Sequence, residues 1–120
     1  MKRIFLLLFV FWYVIPCFAQ LVDKIPITIS GVIIDNACVA AHKEDLRDFI
    51  KTHTKECAIS KNSVESGYSI FAYGELLKFD KESNVKIAKF LKLPKSRLNV
   101  DVVVDKRGDV LKLISIQSQR

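Results

Sequence analysis

The chain reads as a β-rich α+β protein, and three observations point there. Five short segments carry strand patterning, by alternation or by β-branched runs, and two others carry a helical apolar period. Apart from Gly31, the glycines and prolines fall at the ends of those segments, where turns are needed. There is no internal repeat and no low-complexity tract, so one domain accounts for the pattern.

Taken in order, residues 1–19 read as a cleavable signal peptide. Met1-Lys2-Arg3 is a short positive region, Ile4 to Val14 is unbroken apolar sequence, and Pro16 ends any helix. Cys17-Phe18-Ala19 places small residues at the −3 and −1 positions of a cleavage site before Gln20. The apolar run is shorter than the roughly 20 residues of a membrane-spanning helix, which ranks cleavage above an uncleaved anchor. Lipidation at Cys17 ranks lower still, because Pro16 stands where a small residue is expected. The expected product is one exported domain, 20–120, in the periplasm or outside the cell, with no membrane span after cleavage.

The formal charge of +6 for the 120 residues falls to +4 once Lys2 and Arg3 leave with the signal. The remaining lysines are scattered, whereas nucleic-acid binders usually cluster them on one face, so no nucleic-acid partner is expected. Two cysteines remain, Cys38 and Cys57, in a compartment that tends to oxidise thiols.

Ile27 to Ile34 alternates and then becomes wholly apolar, as a strand entering a core does. Gly31 within it marks a bulge or bend, and Asp35-Asn36 a closing turn. From Lys43 to Cys57 the spacing predicts one amphipathic helix with Leu46, Phe49, Ile50, His53 and Cys57 on its inward face. Ser60 to Gly67 reads as a polar loop. Tyr68–Tyr73 and Glu75–Phe79 read as a hairpin turning at Gly74. A second helix is expected from Ser83 or Asn84 to about Lys92, with Val85, Ala88 and Leu91 as its stripe and Ile87 and Phe90 alongside. Leu98–Asp105 and Val110–Ile116 form the last hairpin, turning around Gly108.

Five strands with a helix between the third and fourth is the plan of an OB-like five-stranded small barrel. Here a further helix would be inserted between strands 1 and 2. A plain α+β sandwich is the other arrangement this order allows.

Chemistry concentrates in one stretch. Cys38 and His42 are four residues apart, as are His53 and Cys57, and two such pairs can converge on a metal. Zn²⁺ takes four ligands of this kind and copper also accepts thiolate and imidazole, although C-x3-H…H-x3-C is not a common finger spacing. The simpler reading is a Cys38–Cys57 disulfide, worth about 3 kcal/mol for a loop near 20 residues in the chain-entropy view. A third reading pairs Cys57 with His53 as nucleophile and base, without an evident group to orient the histidine. No Gly-rich phosphate loop, C-x-x-C or haem-attachment sequence is present. Tyr68, Phe71, Tyr73 and Phe79 fit core positions better than an aromatic binding face. Lys86, Lys89, Lys92 and Lys95 fit a solvated helix side and its exit loop.

Gly31-x3-Asp35-x2-Cys38, His53-Thr54-Lys55-x-Cys57, Ser66-Gly67-Tyr68 and Lys78-Phe79-Asp80 occur in this order along nearly the whole exported chain. In these blocks the chain resembles a group of small exported bacterial proteins of unknown function. The resemblance implies an OB-like barrel and carries no activity with it. In that pattern a further cysteine precedes Ser-Gly-Tyr where this chain has Ser63, which weakens a metal or redox reading and favours the disulfide. The expectation is therefore an exported, non-enzymatic binding or accessory module of open ligand, braced by Cys38–Cys57. Its alternatives are a Zn or Cu protein using Cys38, His42, His53 and Cys57, and a thiol enzyme using Cys57 and His53.

Overall fold

A computed structural model describes residues 26–120. The signal-peptide reading of 1–19, Cys17 included, lies outside the described residues. The elements are β1 (Ile27–Asp35), α1 (Asn36–Ala41), α2 (Leu46–Thr52), α3 (Lys55–Ala58), α4 (Lys61–Ser66), β2 (Tyr68–Ala72), β3 (Glu75–Phe79), α5 (Lys81–Leu91), β4 (Asn99–Arg107) and β5 (Val110–Ser118). The fold is α+β, and its five strands form one mixed sheet that closes on itself in the order β1-β2-β3-β5-β4. Every neighbouring pair is antiparallel except β3 and β5.

Period-two burial explains the closure. Val100, Val102 and Val104 of β4 are fully buried, while Asp101, Val103 and Asp105 between them are partly exposed. On β5, Leu111 and Leu113 point inward. The register then slips, so that Val104 faces Leu113 and Val103 faces Ser115. Ile114 is the extra residue and turns outward at 53 % exposure, and Ile116 packs back against the core.

β1 serves two neighbours, pairing through Ile27–Val32 with β4 and through Val32–Asp35 with β2. Gly31 sits at the changeover, where an added Cβ would lie 2.5 Å from the Phe71 carbonyl oxygen. The bend expected there is thus a close backbone approach that leaves no room for a side chain. Tyr73 and Gly74 turn the β2–β3 hairpin with φ of 53° and 78°.

The expected second helix begins earlier than its capping residues suggested. Asp80 caps α5 by accepting from the Ser83 N–H at 2.9 Å, while the Ser83 hydroxyl accepts from the Leu113 N–H at 2.7 Å. Ile87, Ala88 and Leu91 are buried against the sheet, but Val85, expected in that stripe, is 57 % exposed. Lys86, Lys89, Lys92 and Lys95 are exposed, as expected. The aromatic set divides: Tyr68 and Phe79 are core, Phe71 is half-buried and Tyr73 is exposed.

The largest correction lies between β1 and β2. The single helix expected over Lys43–Cys57 is two, α2 and α3, with α1 before them and α4 after. The break is local chemistry. His53 ends α2 with extended backbone, and the Thr54 hydroxyl accepts from the Cys57 N–H, starting a new helix. The stretch read as a polar loop forms α4, because Ser60 caps its start and Gly67 ends it at φ 80°. Its only apolar residue is Val64, so no stripe announced it. Among the described residues, no helix is long and apolar enough to cross a membrane.

Candidate functional site

The insertion folds back over the end of β1, and Asp35 is where the two meet. As the last residue of β1 it caps α1, with Oδ2 accepting from the Cys38 N–H at 3.0 Å. Its Oδ1 faces His53 Nε2 at 3.0 Å, and both side chains are fully buried. His53 reaches it because the chain breaks helix at that residue; the imidazole leaves the α2 face and turns toward β1. With Asp35 ionised, Nε2 is the ring nitrogen that carries hydrogen. Nδ1 is buried and has no hydrogen-bond partner among the described residues.

Burial alone would raise the Asp35 carboxyl. Hydrogen bonds from His53, from the side chain and main chain of Cys38, and from the Ser63 hydroxyl outweigh it and bring the pKa down to about 2. Cys38 responds oppositely. Burial, its hydrogen bond to Asp35, the Asp35 charge and the nearby Cys57 push the thiol up to about 11. At neutral pH Cys38 is a protonated thiol and a poor nucleophile.

Asp35, Cys38 and His53 each offer one donor atom, and these atoms lie within 4.8 Å of one another. That trio differs from both clusters expected from the sequence. His42 is not in it: its Nδ1 lies 3.2 Å from each Asp45 carboxylate oxygen, and its ring stacks on Phe49 at 3.7 Å. Phe49 also packs against His53, with ring centroids 5.3 Å apart, so its ring contacts both histidines. Cys57 is exposed in α3, and with His53 Nε2 on Asp35 the other ring nitrogen, Nδ1, has no hydrogen-bond partner among the described residues, so Cys57 and His53 are not hydrogen-bonded to each other. Cys38 and Cys57 both carry free thiols, without the expected bridge between them.

The sequence marks Asp35 only as turn chemistry, and its contact with His53 emerges from the fold. The available signal was its spacing: an aspartate ending an apolar strand, three residues before Cys38, is an N-cap whose carboxylate also meets that cysteine's main chain. Nothing in one dimension pairs it with His53, 18 residues on.

A second feature lies on the outer side of the insertion. A groove of about 450 Å³ separates the segment before and into α2 from β2, lined by Lys43, Glu44, Arg47, Asp48 and Phe71 among others. Arg47 reaches toward the β2–β3 turn, its guanidinium 3.3 Å from where a Gly74 Cβ would stand. The inside of the closed sheet, by contrast, is filled with aliphatic side chains. No family model matches this chain, and neither does any curated protein or solved structure.

Proposed function

We propose that this is an exported binding or accessory module, built on an OB-like barrel, that takes its ligand in the groove between the β1–β2 insertion and β2. The groove is the observation that carries this reading. Strand order, the parallel β3–β5 contact and a helix between β3 and β4 support the OB-like description, in which the first connecting loop and the adjacent strands form the usual binding face. Cations from Lys43 and Arg47, carboxylates from Glu44 and Asp48, and the half-buried Phe71 ring suit a ligand carrying both charges and an apolar group, such as a peptide segment. The protonated state of Cys38 supports a non-catalytic role. In an oxidising compartment the module would be braced by a Cys38–Cys57 bridge, a pairing supported by the compartment and by the loop of about 20 residues it would close.

The test is a titration of isotope-labelled protein with short peptides, oligosaccharides and acyl chains, followed through backbone amide resonances. Shifts confined to 43–48 and 71–74, abolished by Phe71→Ala with Arg47→Glu, are expected for at least one peptide. Turnover of any of these probes, or shifts spread elsewhere and indifferent to those substitutions, would sink the reading.

A further inference from the structure

We infer that the reduced protein binds one Zn²⁺ ion through Asp35, Cys38 and His53. This is a different ligand set from one built on both histidines and both cysteines, and it stands independently of the groove.

Geometry comes first. The three donor atoms already lie within 4.8 Å of one another. With zinc bonds of about 2.0–2.3 Å, neighbouring tetrahedral ligands stand roughly 3.3–3.8 Å apart. Asp35 Oδ1 and His53 Nε2 are at 3.0 Å, so most of the adjustment falls on Cys38, a half-buried side chain on the first turn of α1. Two of the three ligands are held before any metal arrives. Asp35 is fixed as the cap of α1 and as the end of a paired strand, and His53 by the end of α2 and the Phe49 ring.

Charge and donor type come next. Folding brings the Asp35 carboxylate and the Cys38 thiol together beside His53 in a site where the Asp35 and His53 side chains are fully buried, so a thiolate there would be repelled by the carboxylate. A dication placed among them reverses that repulsion. One oxygen, one nitrogen and one sulfur is a mixed donor set that Zn²⁺ accepts, whereas Mg²⁺ and Ca²⁺ call for oxygen and Cu(I) for softer sets.

The protons balance. Binding releases the Cys38 thiol proton to solvent and leaves a thiolate on the metal. The ring hydrogen moves from Nε2 to Nδ1, which has no partner among the described residues, so that atom changes from an unpaired acceptor to an unpaired donor. Three protein ligands leave a fourth position for a solvent oxygen. Because Cys38 cannot serve a disulfide and a metal at once, formation of the Cys38–Cys57 bridge by exchange with a disulfide oxidant, which takes up the two electrons and is released as two thiols, would empty the site.

The experiment uses the exported chain, kept reduced and stripped with chelator, then titrated with Zn²⁺ by calorimetry and with Co²⁺ by absorption. One Zn²⁺ per chain is expected, with a thiolate-to-cobalt charge-transfer band. Cys38→Ser should abolish that band and weaken Zn²⁺ binding by about 100-fold or more, taking the loss of a direct ligand as no smaller than typical losses around a site. His42→Ala and Cys57→Ser should each stay within about threefold of the parent, since neither is in the trio. Circular dichroism on Cys38→Ser separates a lost ligand from a lost fold, and His53→Gln is held in reserve because its side chain is buried. Absence of stoichiometric binding overturns the inference. So does binding that survives Cys38→Ser in a folded protein, or that depends equally on His42 or Cys57.

Discussion

Asp35 does three things with one carboxylate: it ends β1, caps α1 and receives His53. Its pKa of about 2 lies below the ordinary 3.8, so the folded state is favoured by its ionisation above pH 4, and that contribution fades as pH falls toward 2. The size is about 2 kcal/mol, from roughly 1.4 kcal/mol per pKa unit. Asp35→Asn keeps the shape but removes the charge that holds the imidazole, and should cost about 2–3 kcal/mol near neutral pH. Urea unfolding at pH 6 and again at pH 2.5 checks both. The parent should lose stability between the two pH values by clearly more than the variant, and equal losses would show that Asp35 is not the group responsible.

At the scale of elements, the insertion is four short helices, and none would hold in isolation. Neither α1 nor α2 buries a single residue, and α3 and α4 bury only Ala58 and Ser63. Polar fasteners attach them instead. The Tyr68 hydroxyl donates to the Ala58 carbonyl at 2.7 Å, and burial together with the Asp35 charge pushes that phenol up to about 12, keeping it a donor. Lys55 donates from Nζ to the carbonyls of Leu93 and Ser96, each at 3.0 Å, and so ties α3 to the exit of α5. Hydrogen bonds from a charged donor are worth more than neutral ones, and Lys55→Met should cost about 1–2 kcal/mol. Thermal or urea unfolding reads this directly, with Lys89→Met on the exposed side of α5 as the control expected to change little. Indistinguishable stabilities would mean the ammonium only rests on the surface.

Across the whole molecule two grades of stability are expected, a closed sheet with an aliphatic core and an insertion held by polar contacts. Opening the insertion uncovers Ala58, Ile59 and Val64, whereas opening the sheet exposes Val100, Val102, Val104, Ile33 and Ile70 together. Native-state hydrogen exchange should therefore show amides of β1, β2 and β4 exchanging only through global unfolding. Amides of α1 and α2 should exchange faster, by about 100-fold or more, through local opening. Uniform protection would instead indicate one cooperative unit. The Asp35–His53 contact bridges the two grades, so Asp35→Asn should widen the gap chiefly by loosening the insertion.

Much of this arrangement was legible in one dimension. Strand periodicity located all five strands, because a half-buried strand must alternate whatever it pairs with, and Gly74 and Gly108 marked their hairpins. Several short motifs hold the frame: Gly31 gives close approach, Asp35, Thr54 and Asp80 cap helices, Lys55 fastens, and Tyr68 and Phe79 fill the core. The helical period over Lys43–Cys57 misled, since it is blind to a threonine whose hydroxyl starts a second helix. α4 escaped because its signals were caps without an apolar stripe. Sequence alone determined the elements that depend on nearest neighbours and on burial of one face. Which side chains meet was decided only by the tertiary fold, because the insertion folding back over the end of β1 brings Asp35 beside a histidine 18 residues away while a phenylalanine ring stacks on His42 and packs against His53.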